Sequence, residues 1–333
     1  VNTIKTFKAN AAKFIQYDIS SADMTNEQKI EHALRQKQVM VEVAHTFDGY
    51  SSNTYLLSVA AGSNFKSINS NKLSVASALN VPNIRIPENL TIHEGKAYLA
   101  IEAPKKREKD LFWDAKELVG MKIPLGKDNL NNTVIWDFEN QSTPHALVGG
   151  ATGSGKSVFV DSVLNYSIEA GIKEIYIFDP KYEFEKYRNN GIEVYNDIEE
   201  IETVLELLVD KMDYKVRQKD TSKVLIVFDE FADAVSAAGK KSNLETNLKR
   251  ILQKGRSSGF RVLAATQRAS TKVITGDAKV NFPIQICFRV PKDIDSKVML
   301  DEAGAETLAG AGDGLIKSPD YPETVRFQSF YKA

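Results

Sequence analysis

Hydrophobic and polar positions follow two different rhythms along the chain. As far as about residue 130, short alternating runs (VMVEVAHT, NTYLLSVA and KAYLAIEA) read as half-buried strands, with helices expected near 22–36 and 71–80. Together they predict a small α+β domain over 1–130. Its last part, PKKREKDLFWDAKELVGMKIPLGKDNLNN at 104–132, is charged and Asn-rich and is expected to connect two domains, with the boundary near 130. Over 131–333 the pattern becomes near-continuous apolar runs of strand length, HALVGG, EIYIFD, VLIVFD, RVLAAT and IQICFRV, separated by longer helical stretches. Strands without alternation are buried on both faces, and their alternation with helices predicts an α/β fold with a mostly parallel, doubly wound sheet. In DIEEIETVLELLVDKMDYKV, Ile198, Ile201, Val204, Leu205, Leu208 and Met212 fall on one helical face and read as core. No repeat at solenoid periods is present.

A chain of 333 residues is longer than one hydrophobic core usually supports, which agrees with two domains. Hydrophobic residues at 42% and charged residues at 26% exclude wholesale disorder. The formal net charge of −1 excludes a uniformly basic surface, but the charge is segregated. Residues 240–297 carry 13 Lys and Arg against 4 Asp and Glu. The single cysteine, Cys287, allows no intrachain disulfide, and no Cys and His cluster has zinc-binding spacing, so a reducing, cytoplasmic setting is expected. Cys287 sits in an apolar run and reads as a small buried hydrophobe, while His32, His45, His93 and His145 are scattered singly and read as structural or surface residues. No run of about 18 apolar residues is present and 1–20 lacks the order of a signal peptide, so no membrane contact is expected.

Candidate chemistry begins at Gly150, Ala151, Thr152, Gly153, Ser154, Gly155, Lys156 and Ser157. This octet fits G-x-x-x-x-G-K-[ST] directly after HALVG and before the helical run that starts with Val158. Its glycines let backbone N–H groups curl around a triphosphate at a helix N-terminus; Lys156 suits the outer phosphates and Ser157 suits Mg²⁺. ATP and Mg²⁺ are therefore the expected ligands. Some 70 residues on, VLIVFDEFAD ends an apolar strand in Asp229 and Glu230, where Asp229 can hold the metal shell and Glu230 can deprotonate an attacking water. RVLAATQ ends in Gln267, a candidate γ-phosphate sensor, and KGRSSG offers Arg256 either as an arginine reaching a neighbouring subunit's nucleotide or as an ordinary surface residue. In the basic segment, Arg268, Lys272, Lys279, Lys292 and Lys297 suit duplex backbone phosphates in a salt-sensitive manner, and a solvated basic face accounts for the same charges.

In combination these residues resemble the FtsK and SpoIIIE family of double-stranded DNA translocases. HALVGGATGSGKS, VLIVFDEFAD, KGRSSGFRVLAATQRASTKVITGDAKVNFPIQICFRV and DSKVMLDEAGAETLAGAGDGLI carry the likeness, and the elements from about 37 to 103 are similar to the family's small α domain. The resemblance implies a RecA-like P-loop ATPase that forms a hexameric ring around duplex DNA. It also implies nucleotide roles for Lys156, Ser157, Asp229, Glu230 and Gln267, a trans-acting finger at Arg256, and pore loops bearing Arg268 and Lys279. Ala269 stands where the family usually has Pro, and Asp293 where a basic residue is frequent. Neither a membrane-spanning segment nor a winged-helix module can be read, which suggests a compact relative of the kind carried on mobile elements or phage. Related secretion ATPases that move polypeptide, and conjugation or packaging coupling ATPases, are the alternatives.

Overall fold

The computed structural model describes residues 23–59, 65–107, 109–239, 242–267 and 279–332. Its contacts divide the chain into two units, one from the N-terminal residues to Thr46 plus Tyr55–Ala103, the other from Phe47–Thr54 plus Pro104 onward. In the first unit, the helix expected near 22–36 is α1 (Asn26–Arg35). It starts at Thr25, whose hydroxyl accepts the Gln28 amide while the Gln28 side chain returns to the Thr25 amide, so the first turn's free N–H groups are satisfied. The strand-like runs become β1 (Val41–Asp48), β2 (Ser52–Val59) and β4 (Lys96–Pro104). With the short β3 (Thr91–His93) they form a four-stranded sheet in the order β1-β2-β4-β3. Phe65–Ser70 (α2) and Lys72–Ala78 (α3) supply further helix, and Ile30, Leu34, Leu57, Ile68, Val75, Leu99 and Ile101 form the core.

The second unit is built on a ten-stranded sheet ordered β6-β5-β14-β13-β12-β7-β11-β10-β8-β9. The apolar runs HALVG, EIYIF, VLIVF, FRVLAAT and IQICF are β7 (His145–Gly149), β8 (Glu174–Phe178), β10 (Val224–Phe228), β11 (Phe260–Thr266) and β12 (Ile284–Phe288). These five, with β9 (Glu193–Tyr195), run parallel. Beyond β12 the sheet continues antiparallel through β13 (Asp313–Lys317), β14 (Val325–Ser329), β5 (Lys122–Asp128) and β6 (Thr133–Asp137). Residues 104–132 are thus not merely a connection: β5 lies within them and pairs with β14, and a boundary at 130 would cut the β5–β6 hairpin. The apolar alternation Ile123, Leu125, Val134 and Trp136, all buried, explains why the hairpin joins the sheet.

Helix α4 (Lys156–Glu169) follows β7, and α5 (Ile198–Gln218) follows β9. In α5, Asp197 caps the amides of Glu199 and Glu200, and Ile201, Leu205, Leu208 and Met212 are buried as their spacing predicts. Helices α6 (Phe231–Ala238) and α7 (Leu244–Lys254) separate β10 from β11, and α8 (Asp293–Leu300) follows β12. The chain leaves β7 towards β8, three places away in the sheet, and later fills the gap with β10 and β11. The carboxyl end of β7 therefore lies at a reversal of strand order, where open parallel sheets place their ligands.

Candidate functional site

Register brings the candidate residues to one edge. Thr266 pairs with Gly149 and Phe228 with both Ala264 and Phe178, so Gly150, Gln267, Asp229 and Asp179 all leave the sheet on the same side. The Gly150–Ser157 loop turns there through Gly153 at φ +77° and Gly155 at φ +103°. At Gly155 glycine is required twice, because a Cβ would also lie 2.3 Å from the Gly312 nitrogen. The loop is braced from two directions: the Ala151 amide donates to Arg289 O at 2.9 Å, and the Gly312 amide donates to Ser154 O at 2.8 Å.

At the mouth of this loop Lys156 Nζ lies 2.7 Å from Asp229 Oδ1 and 3.5 Å from Glu230 Oε1. All three side chains are at least 97% buried, a setting in which charges persist only when paired. Glu230 Oε1 also accepts the Gln267 amide at 2.7 Å, and the Gln267 side chain takes the Thr152 hydroxyl at 3.0 Å. Asp229 Oδ2 is buried with no hydrogen-bond partner. Among the described residues the amides of Thr152, Gly153, Gly155 and Lys156 meet no backbone carbonyl. Open amides, a buried cation within reach and a carboxylate oxygen left over are the complement of a polyphosphate with a divalent cation, so the donor set fits both. Ser157 Oγ donates to Glu183 Oε2 at 2.5 Å, and Val158 follows it on α4, exposed.

Arg256 lies in a 3₁₀ turn, Gly255–Ser258, with its side chain exposed and in no ion pair among the described residues. Arg268 and Lys272 lie outside the described residues. Lys279 is paired with Asp301 at 2.6 Å and Lys297 with Asp293 at 2.8 Å on α8, whereas Lys292 is exposed. One contributor to the local basic excess is not on the surface at all. Arg261 is 1% exposed and donates to the carbonyl of Phe138. Cys287 is buried, and burial pushes its thiol well up.

Sequence reasoning missed the loop after β8. Asp179 is fully buried, and burial, with Asp229 beside it, raises its carboxyl above the usual range. Lys181 Nζ lies 3.4 Å from Glu230 Oε2. The signal was in view, since EIYIFDPKYE ends an apolar strand in an acid just as VLIVFDE does. The segment AGAGDGLI was also missed as the brace of the phosphate loop. Its Asp313 is held by Arg326 through two hydrogen bonds, at 2.9 and 2.7 Å.

Residues 6–105 match the FtsK alpha domain family and residues 124–286 match the central domain of the helicase HerA. A DNA translocase FtsK of Haemophilus influenzae is 30% identical over 92% of the chain and 68% of its own length; that of Pasteurella multocida is 31% identical over 90% of the chain and 38% of its own length. The chain thus spans from about a third to about two thirds of the length of these curated relatives. Among solved structures, the conjugation coupling protein TcpA of pCW3, with ATPγS, superposes at a TM-score of 0.65 with 22% identity over 92% of this chain and 95% of that one. The type VII secretion ATPase EccC of Thermomonospora curvata gives 0.57 at 21% over 64% of this chain and 29% of that one. Both share the RecA-like P-loop ATPase fold. No helix among the described residues is long and apolar enough to cross a membrane.

Proposed function

The chain belongs to the FtsK family of DNA translocases, and from that membership we propose that it is an ATP-driven motor. In this reading it moves double-stranded DNA through a homo-oligomeric, hexameric ring and hydrolyses ATP at the subunit interfaces. The observation that carries this reading is the meeting of Lys156, Asp229, Glu230 and Gln267 at the carboxyl edge of β7, β10 and β11.

The chemistry follows from these groups. Lys156 exchanges its bond to Asp229 for the outer phosphates of ATP, trading one buried anion for another. Ser157 and Asp229 hold Mg²⁺, which when bound offsets the charge of the β- and γ-phosphates. Glu230 accepts a proton from the attacking water as the new O–P bond forms and the bridging bond to ADP breaks. Gln267 is tied to Glu230 through its amide and to Thr152 through its side chain, so it is placed to register the γ-phosphate. Arg256, exposed and unpaired among the described residues, serves the neighbouring subunit's nucleotide. Arg268, Lys272 and Lys292 meet the duplex backbone; Lys279 and Lys297 do so only by leaving Asp301 and Asp293.

The test is the steady-state ATPase rate with and without long linear duplex DNA, titrated against salt, beside single-stranded DNA at equal nucleotide concentration. Duplex is expected to stimulate, with log affinity falling by about 0.9 per phosphate contact for each log unit of salt. An oligomeric protein that no DNA stimulates would overturn the reading in favour of polypeptide cargo.

A further inference from the structure

One loop reaches both ends of the hydrolytic site, although neither phosphate motif includes it. The chain leaves β8 at Asp179, beside Asp229, because Phe178 pairs with Phe228 across the sheet. Asp179 then shapes the loop from inside. Its Oδ2 accepts the Phe184 amide at 2.8 Å, the amides of Glu183 and Lys181 also donate to its carboxylate, and Tyr182 turns at φ +62°. The two side chains that this turn projects go to different places: Glu183 accepts the Ser157 hydroxyl at 2.5 Å, and Lys181 stands 3.4 Å from Glu230.

We propose that the Asp179–Phe184 loop is a positioning element of the nucleotide site, in which Glu183 orients the Ser157 hydroxyl for a divalent cation and Lys181 holds Glu230 in place. The inference rests on the ATP-site reading above. A serine hydroxyl has one proton and two lone pairs, so fixing the proton on Glu183 leaves the lone pairs free for the cation. Glu183 is itself exposed at the mouth, where a carboxylate can accept from the waters that Mg²⁺ retains. Lys181 matters most once Lys156 has turned to the phosphates. Glu230, 1% exposed, then keeps one amide donor from Gln267 and needs a second anchor of opposite charge to hold one rotamer.

The two arms are measured on the full chain. In the first, binding of a fluorescent ADP analogue is titrated with Mg²⁺. Glu183→Ala is expected to raise the half-saturating Mg²⁺ concentration by about 10–100-fold, the usual effect of removing a group that orients a metal ligand. Affinity for the analogue in EDTA should stay unchanged, and Glu183→Gln, which keeps an acceptor, should recover most of the loss. In the second, Lys181→Met should lower kcat by up to on the order of 100-fold with KM for ATP unchanged, and Lys181→Arg should restore it. Equal Mg²⁺ titrations for wild type and Glu183→Ala, or a raised KM at wild-type kcat for Lys181→Met, would overturn the proposal. Ser157→Ala separates the two levels: if it leaves the Mg²⁺ titration unchanged, the phosphate-loop reading itself fails.

Discussion

Glu230 stands at φ +49° and ψ +42°, in the left-handed region that a non-glycine residue occupies at a cost of about 1–3 kcal/mol. Its surroundings impose the conformation: its carbonyl accepts the Asp233 and Ala234 amides at the start of α6, and its carboxylate is held by Gln267 and approached by two lysines. Glu230→Gln keeps an oxygen for the Gln267 amide and removes the base. It should retain ATP binding while hydrolysis drops by about 10²–10⁴-fold, as radiolabelled ATP retention beside turnover would show. Wild-type turnover in that variant would end the assignment.

A second residue, far from hydrolysis, sets a pH dependence. His145 is fully buried in β7, with Nδ1 accepting the Val262 amide and Nε2 facing Leu252 O, both at 3.1 Å. Burial, and then the nearby Arg261, lower its pKa from 6.5 to about 3. The folded imidazole is therefore neutral where the unfolded one is charged. Its contribution is whole above pH 6.5 and is lost as pH falls from there towards 3, at up to about 1.4 kcal/mol per pH unit. Urea midpoints between pH 7 and 4 should fall accordingly. His145→Gln should be less stable at pH 7 and show a shallower decline, and equal slopes would contradict the account.

The phosphate loop works as an element because a second element stands behind it. Gly310 and Gly312 both take positive φ, Gly312 donates to Ser154 O, and Asp313 is locked by Arg326, so 309–313 is a rigid wall against Gly155. Gly155→Ala sets a methyl against that wall at a φ that disfavours it, a strain of roughly 1–3 kcal/mol that either moves the loop or the wall. Thermal melts should show both a lower Tm and loss of the upward shift with ATP. Gly171→Ala is the control. Its φ of +81° carries similar strain but nothing lies within 4 Å, so its Tm should fall while the shift with ATP survives.

On the scale of the whole molecule, Arg256 separates a subunit that hydrolyses alone from one that needs a neighbour. Its side chain is exposed and has no ion pair among the described residues. Arg256→Ala alone should bind ATP and lose hydrolysis by about 10³-fold or more. Mixed in equal amounts with Glu230→Gln, it should regain part of the activity, because some interfaces then join an intact Glu230 to an intact Arg256. No recovery in oligomers shown to be mixed would rule out a trans-acting arginine.

What the sequence by itself determined is whatever neighbouring residues decide together. The parallel strands were legible because VLIVF and IQICF are apolar on both faces, and α5 because its apolar residues recur every three and four. The phosphate loop was legible because a backbone that encloses phosphates needs glycines, a lysine and a hydroxyl at fixed local spacing. Tertiary structure alone decided what depends on register between distant segments. It made β5 and β6 an edge of the large sheet, placed Asp179 beside Asp229 and aimed Lys181 and Glu183 at Glu230 and Ser157. It also sent Arg261 into the interior while Arg256, five residues earlier, stayed outside. Charge and polarity are properties of a residue, but burial and partnership belong to the contacts that strand order creates.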